Sequence, residues 1–471
     1  MTIIIKSGTL ITASEIFTAD ILVEDEKIAE IGMDFNVPGA QVIDAEGKLV
    51  LPGGVDPHTH FDLPMFGTVS SDDHYTGHKA AAFGGTTTVI DFVSQEAGTL
   101  RESVEAWHAK ADRKAAVDFG FHMNITHLDQ RVEDEISQLP GMGITSIKVF
   151  TAYNGRLRLQ DGEIFRVMRE ARKNGLLTLL HAENGDVIDL LVSEALAAGH
   201  TSAEWHARTR PAWGAVEAVL RGIALAAQTG APLYIVHMNA AGEVDQLEYA
   251  RQRHLPVMGE TCPQYLFFTD ASLARPDGAK WVCSPPVRTA DDNLRLWEGL
   301  ERGIIQTIGT DHCAFFFDGT RPIKYEDKLI AIPGKELGKD DFTKIPNGLP
   351  GVGDRLSILW TYGVRAGRMT PNQFVALTST NPAKIFGMYP RKGTLLPGAD
   401  ADLVIWEPER RLVYGAARAH HRTDYNLYEG WELTGFPEKV FLRGKLIVDG
   451  DVWLGKPGVG KYLFRQEGQV I

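Results

Sequence analysis

Residues 51–63, LPGGVDPHTHFDL, place two histidines, His58 and His60, directly after an apolar run. In a β-strand, residues two apart point to the same side, so both imidazoles of a His-x-His pair can reach one point in space. That point could hold a metal ion, or the pair could be two surface histidines near the end of a strand. The rest of the chain decides between these alternatives.

Further apolar runs follow between residues 86 and 313, with amphipathic stretches of helical spacing between them. Near-continuous apolar strands that alternate with helices indicate a parallel sheet covered by helices, and eight of them predict a closed (β/α)8 TIM barrel. After LPGGVDPHTH from Leu51, the predicted strands are TTTVIDFV from Thr86, DFGFHMNI from Asp118, SIKVFTA from Ser146, LLTLLHA from Leu176, PLYIVHM from Pro232, PVMGETC from Pro256 and TIGTDHC from Thr307.

Both chain ends contain short strands separated by turns. ILVEDEKIAEI near the N-terminus alternates apolar and polar residues, and GADADLVIWEPE and KVFLRGKLIVDGDVWL near the C-terminus are again strand-like. Because neither set can bury a core alone, we predict one small β-sandwich domain built from both ends. The predicted division is 1–50 and 386–455 for this domain, 51–385 for the catalytic barrel, and 456–471 for a C-terminal arm that contacts a neighbouring subunit or folds back.

Composition excludes several classes of function. The formal charge of −13, without a Lys or Arg cluster, argues against nucleic-acid binding. The three cysteines show no C-x-x-C spacing, which suits a reducing compartment. No apolar stretch approaches the length of a membrane span, and no signal peptide pattern is present. We therefore expect a cytoplasmic protein that binds neither nucleic acid nor membrane.

Residues able to bind a metal collect at the predicted C-terminal ends of the strands, where barrels place their chemistry. Independent core residues have no reason to gather at the same end of five strands. Four histidines and one aspartate are too many ligands for one tetrahedral zinc with an open position, so the pattern predicts two Zn²⁺ ions. The predicted ligands are His58, His60, Lys148, His181, His237 and Asp311.

Lys148 needs its own explanation. A protonated amine between two divalent cations would be repelled, and a neutral amine could bind only one of them. Carboxylation by carbon dioxide would give N6-carboxylysine, an anion able to bridge both ions. The alternative is an ordinary buried lysine in an ion pair.

Nine motifs together resemble the dihydropyrimidinase and D-hydantoinase family of cyclic amidohydrolases. They run in family order across nearly the whole chain: PGGVDPHTH, GGTTTVIDF, SIKVFTAY, HAEN, GETCPQYL, SPPVR, GTDHCAF, IPNGLPG and KGTLLPGADADLV. The resemblance implies a homotetramer that hydrolyses dihydropyrimidines (5,6-dihydrouracil or dihydrothymine) and 5-substituted hydantoins to N-carbamoyl amino acids. It also implies that His58, His60 and Asp311 hold one zinc ion, that His181 and His237 hold the other, and that carboxylated Lys148 bridges them.

The same resemblance implies roles around the reacting ring. Asp311 would take a proton from the attacking hydroxide and return it to the leaving nitrogen. Tyr153 would donate a hydrogen bond to the developing oxyanion. Ser284 and Asn347 resemble positions whose backbone groups bind the remaining ring amides, although both could instead serve as turn residues beside Pro and Gly.

Substrate choice is expected to depend on the residues just after His60. Related enzymes that open dihydroorotate carry an arginine two residues beyond the second histidine, where this chain has Asp62. A negative charge there should repel an anionic ring, so we predict a small neutral cyclic amide as substrate. Met65, Phe66 and Phe92 could line an apolar pocket for the exocyclic substituent, or could be loop packing.

Two other functions stay open. One is an allantoinase-type hydrolase of ureide rings. The other is a non-catalytic, dihydropyrimidinase-like scaffold, and the presence of every ligand position argues against it.

Overall fold

The chain folds into a parallel barrel with a second, mixed sheet, as described by a computed structural model for residues 2–65 and 67–471. The strands are β1 (Ile3–Ile11), β2 (Ile16–Glu24), β3 (Lys27–Gly32), β4 (Gln41–Asp44), β5 (Leu49–Pro52), β6 (Gly54–Thr59), β7 (Pro64–Met65), β8 (Thr68–Val69), β9 (Thr86–Val93), β10 (Asp118–Asn124), β11 (Ser146–Phe150), β12 (Leu177–His181), β13 (Leu233–Met238), β14 (Val257–Thr261), β15 (Thr307–Ile308), β16 (Ile323–Tyr325), β17 (Lys328–Ile330), β18 (Leu403–Val413), β19 (Glu432–Leu442), β20 (Lys445–Asp449) and β21 (Val452–Trp453).

Eight of these strands form the barrel, each paired in parallel with the next along the chain: β6, β9, β10, β11, β12, β13, β14 and β15. All eight lie within the predicted runs, so the (β/α)8 prediction is confirmed. The last strand returns to the first through a parallel bridge between Thr59 and His312. At the same place the His60 N–H donates to the His312 carbonyl at 2.7 Å.

Helices cover the outside of the barrel. They are α1 (Thr76–Phe83), α2 (Leu100–Ala111), α3 (Gln130–Glu135), α4 (Asp161–Lys173), α5 (Gly185–Ala197), α6 (Glu204–Arg208), α7 (Ala212–Thr229), α8 (Ala241–Gln252), α9 (Pro263–Phe267), α10 (Ala290–Glu301), α11 (Arg355–Leu359), α12 (Pro371–Val375) and α13 (Asn381–Ile385). In α4 the buried residues Ile164, Val167, Met168 and Ala171 recur at helical spacing, so one face packs inward. Within the described ranges, none of the helices has both the length and the hydrophobicity to span a bilayer.

Strands from both chain ends share one nine-stranded mixed sheet. β5 pairs antiparallel with β18, from Leu49 opposite Trp406 to Pro52 opposite Leu403. Buried residues from both ends, such as Ile21 and Leu403, form a core of their own. The accessory β domain predicted from the two ends is therefore confirmed, with its strands joined in a single hydrogen-bonded sheet.

The segment after β21 runs back across the N-terminal end of the barrel. Tyr462 forms a parallel bridge with Phe119, and the neighbouring Leu463 is buried. Arg465 donates to the Ser146 hydroxyl at 3.0 Å. This segment therefore packs on the barrel of its own chain at Tyr462 and Arg465. Contact with a neighbouring subunit and the domain boundaries stay predictions.

Candidate metal centre and active site

One potential metal site lies where β6 meets the loop after β15. The Nε2 atoms of His58 and His60 each lie 3.1 Å from the same oxygen of Asp311, Oδ1. One ligand atom from each residue falls within 4.8 Å of the others, a spacing that suits a single divalent ion. Barrel closure brings together a histidine pair and an aspartate that are far apart in the sequence.

A second pair of potential ligands adjoins the first. His181 at the end of β12 places Nδ1 3.0 Å from Nε2 of His237 at the end of β13. The His237 ring centroid lies 5.4 Å from that of His58. Lys148 on β11 reaches the same place, with Nζ 3.2 Å from His58 Nε2. All six side chains predicted as ligands therefore lie around one site, and their role as ligands stays a prediction.

Two buried carboxylates contact ring nitrogens of two of these histidines. Glu260 Oε1 lies 2.7 Å from His58 Nδ1, and Glu183 Oε2 lies 2.8 Å from His181 Nε2. A carboxylate on one ring nitrogen keeps a proton there, so the other nitrogen is the one that would give its lone pair to a metal ion when one is bound. Because metal-binding histidines are typically held in this way, the residues present fit a two-metal centre.

Sequence reasoning missed both carboxylates. Glu183 follows His181 by two residues in HAEN, and Glu260 lies near the end of β14 in GETC. A signal was available, because each is an acidic residue at the C-terminal end of a barrel strand. Glu260 gives the site a contribution from β14, a strand that carries none of the predicted ligands.

Lys148 carries a buried amine. Its residue is 3% exposed, and burial lowers its pKa to about 8. Nζ lies 4.3 Å from the centroid of the Phe92 ring. Among the described residues, no carboxylate lies within ion-pair distance of this nitrogen. A lowered pKa leaves part of the amine neutral near neutral pH, which is the form that can react with carbon dioxide.

Asp311 is ionised in this site. Burial opposes its ionisation, but the charge of His58 and the hydrogen bonds of His58 and His60 prevail and hold the pKa of the carboxyl well below its usual range. An ionised carboxylate can bind a cation and can accept a proton.

Three residues of the site have unusual backbone geometry. The φ angles of Tyr153, His237 and Asp311 are 69°, 41° and 52°. Residues with a side chain rarely adopt positive φ, and such positions persist where the surrounding structure fixes them. Their concentration around one cavity is typical of a functional site.

The site opens into a cavity of about 170 Å³ that Tyr153, Ser284 and Asn347 also line. Asn347 Nδ2 donates to Ser284 Oγ at 3.0 Å. Burial raises the pKa of Tyr153, so its phenol stays protonated and can donate. The three side chains thus form a polar wall of the cavity.

The structure places Asp62 away from the cavity, so its expected position beside the substrate is not observed, while its effect on substrate choice stays a prediction. Its carboxylate lies 3.1 Å from Lys114 Nζ, and its carbonyl accepts a hydrogen bond from Lys110 Nζ at 3.2 Å. Asp62 is also absent from the described residues that line the cavity. β6 ends at Thr59 and the backbone turns at Asp62 with φ 49°, so the two-residue periodicity of the strand no longer sets the direction of this side chain.

The residues predicted for an apolar pocket have different positions. Met65 lines the cavity together with Leu63. Phe92 is fully buried and stacks on the His60 ring at a centroid distance of 4.9 Å, so it packs against a predicted ligand and does not line the described cavity. Phe66 lies outside the described residues.

Known proteins resemble this chain along its full length. Residues 49–447 match the model of the amidohydrolase family. The chain is 46% identical over 469 residues to a D-hydantoinase of Geobacillus stearothermophilus, covering 99% of this chain and 97% of that protein. A D-hydantoinase of Streptomyces coelicolor is 44% identical over 477 residues, covering 99% of each. The crystal structure of a dihydropyrimidinase from Brevibacillus agri has a TM-score of 0.95 at 44% identity and covers 100% of both chains.

Proposed function

This chain belongs to the amidohydrolase family, in its D-hydantoinase and dihydropyrimidinase group, and from that premise we propose that it opens cyclic amides with two zinc ions. The proposed substrates are neutral rings, namely dihydropyrimidines and 5-substituted hydantoins, and the products are N-carbamoyl amino acids. The observation that carries the proposal is the convergence of six side chains beside one cavity: His58, His60, Lys148, His181, His237 and Asp311.

The ligands divide into two groups by position. We assign His58, His60 and Asp311 to one ion, and His181 and His237 to the other. Lys148 would bridge them as N6-carboxylysine. The buried amine has no ion pair among the described residues, which argues against an ordinary ion-pair lysine. Carboxylation would supply a negative charge that two divalent cations require.

The chemistry follows from the residues around the cavity. When bound, the two ions would supply an activated water and polarise the ring carbonyl. Asp311 accepts the proton of the attacking water and returns it to the leaving ring nitrogen. The protonated Tyr153 hydroxyl donates to the oxygen that gains charge. Main-chain groups at Ser284 and Asn347 hold the remaining ring amides.

A neutral ring suits the apolar part of the cavity wall. Leu63, Pro64, Met65 and Leu157 contribute that part, where a charged ring substituent would lose its hydration. Arg156 also lines the cavity but is exposed to solvent. A comparison of the rates with neutral and anionic rings therefore tests whether the protein prefers neutral substrates.

The experiment measures bound metal in the purified protein and compares its rates with dihydrouracil, a 5-aryl hydantoin, dihydroorotate and allantoin. We expect two zinc ions per chain and faster turnover of the first two rings. A protein with neither divalent metal nor turnover would support the scaffold alternative. Faster turnover of dihydroorotate would exclude the neutral-ring proposal, and faster turnover of allantoin would favour the allantoinase-type alternative. A homotetramer and a cytoplasmic location stay predictions.

A further inference from the structure

Lys335 is a buried cation behind the polar wall of the cavity. Its residue is 1% exposed, and Nζ donates to the carbonyls of Val282 at 2.9 Å and Pro346 at 3.0 Å. Val282 lies two residues before Ser284, and Pro346 lies directly before Asn347. One ammonium group therefore ties together two segments that are distant in sequence and that carry both predicted ring contacts.

The surrounding backbone fixes this arrangement. The Gly348 N–H donates to the Val282 carbonyl at 3.1 Å, so the two segments also contact each other directly. The Lys335 N–H donates to the Phe316 carbonyl at 2.7 Å, which anchors the lysine itself. Lys335 adds two hydrogen bonds to this connection, and they are strongest in the protonated form, because an ammonium is a stronger donor than a neutral amine.

Stability alone does not account for a lysine at this position. Within the described part of the chain, its amine has no carboxylate at ion-pair distance. Burial lowers its pKa to about 7, which reflects the cost of keeping the charge away from water. An unbranched apolar side chain of similar length would avoid that cost. The feature that only lysine supplies here is a set of N–H donors between two carbonyls.

We propose that Lys335 is a positioning residue for substrate recognition. Its ammonium holds the Val282 and Pro346 backbones in the relative position that allows Ser284 and Asn347 to bind the ring amides at the same time. The inference rests on the proposed function. Loss of the amine should weaken ring binding and leave the chemical step in place, because Nζ donates to the carbonyls of Val282 and Pro346, in the segments that carry Ser284 and Asn347.

The test compares Lys335→Met with Lys339→Met, which alters an exposed lysine of the same segment. Each variant is assayed for KM and kcat with dihydrouracil, for bound metal and for thermal unfolding. We expect Lys335→Met to raise KM about tenfold or more, since the two hydrogen bonds that hold the Val282 and Pro346 segments together are lost. We expect kcat within about threefold of the wild type and an unchanged metal content. Lys339→Met should match the wild type.

An unchanged KM in Lys335→Met overturns the inference, and so does a loss confined to kcat or to metal content. If Lys335→Met fails to fold, Lys335→Gln is assayed instead, because the glutamine amide keeps N–H donors on a shorter side chain. A raised KM in that variant supports the inference and an unchanged KM overturns it. The inference is also overturned if neither variant folds, because that result would show that Lys335 is needed for folding. A wild-type protein that opens no cyclic amide refutes the proposed function together with this inference.

Discussion

Glu260 Oε1 lies 2.7 Å from His58 Nδ1, so a carboxylate on β14 fixes the orientation of a histidine on β6. The same oxygen accepts a hydrogen bond from the His237 main-chain N–H at 3.1 Å. One buried carboxylate thus contacts a residue of each proposed metal position. The proposed metal centre is therefore supported by β14 as well as by the strands that carry its ligands.

We predict that Glu260→Gln lowers zinc affinity about 10- to 100-fold, because the amide keeps the volume but no longer fixes the His58 ring as a charged acceptor. Chelator competition measures this affinity, and activity at saturating zinc shows whether the site can still be filled. Glu298→Gln, at an exposed position of α10, is the control. Equal zinc affinity in Glu260→Gln and wild type would show that the carboxylate has no role in metal binding.

Lys148→Ala should lose activity about 100-fold or more, because the proposed bridging anion is missing. Short carboxylic acids such as acetate should restore part of the rate by occupying the space of the missing group. Metal-free wild-type protein should regain activity faster when zinc is added with bicarbonate than in buffer free of carbon dioxide. Lys173→Ala, at an exposed position, serves as control. Full activity of Lys148→Ala without any added acid would contradict the bridging role.

Asp62→Asn should leave substrate preference unchanged, because the carboxylate contacts Lys114 and is absent from the described lining of the cavity. The rate ratio of dihydrouracil to dihydroorotate is the measurement. Loss of this partly exposed ion pair should cost about 1 kcal/mol of stability or less, as measured by urea unfolding. A shift of the ratio toward dihydroorotate would return Asp62 to substrate selection.

His78 should make stability depend on pH. It is fully buried, and burial lowers its pKa to about 4 from the ordinary value of 6.5. Between these values the unfolded chain binds a proton that the folded chain does not, so the free energy of unfolding decreases as pH falls. The expected slope from this residue is about 1.4 kcal/mol per pH unit.

Urea unfolding of His78→Asn between pH 6.5 and 4 measures that slope. The asparagine keeps a polar atom near the Ala116 and Val117 N–H groups, which lie 3.3 Å from His78 Nδ1. We expect the proton uptake on unfolding to decrease by about one relative to wild type. His127→Asn, at a side chain that is 69% exposed, is the control variant. An unaltered slope in His78→Asn would place the titrating group elsewhere.

The barrel and the rim position of the ligands could be predicted because both depend on local properties. The length and composition of each apolar run identify a strand, and parallel pairing in chain order then places all strand ends together. His181 and His237 are therefore recognisable as rim residues without knowledge of any contact. The direction of the Asp62 side chain could not be predicted in this way, because the residue lies in the turn after the strand, where the two-residue periodicity no longer holds.

The sequence by itself determined the barrel, its accessory sheet and the set of side chains at the C-terminal rim. Only the tertiary structure decided which groups contact each other. Glu260 contacts the His58 ring, Phe92 stacks on His60, and Lys335 donates to the Val282 and Pro346 carbonyls. The physical reason is that periodicity specifies direction only inside a strand or helix. Contacts across the barrel depend on its closure and on the packing of segments that are distant along the chain.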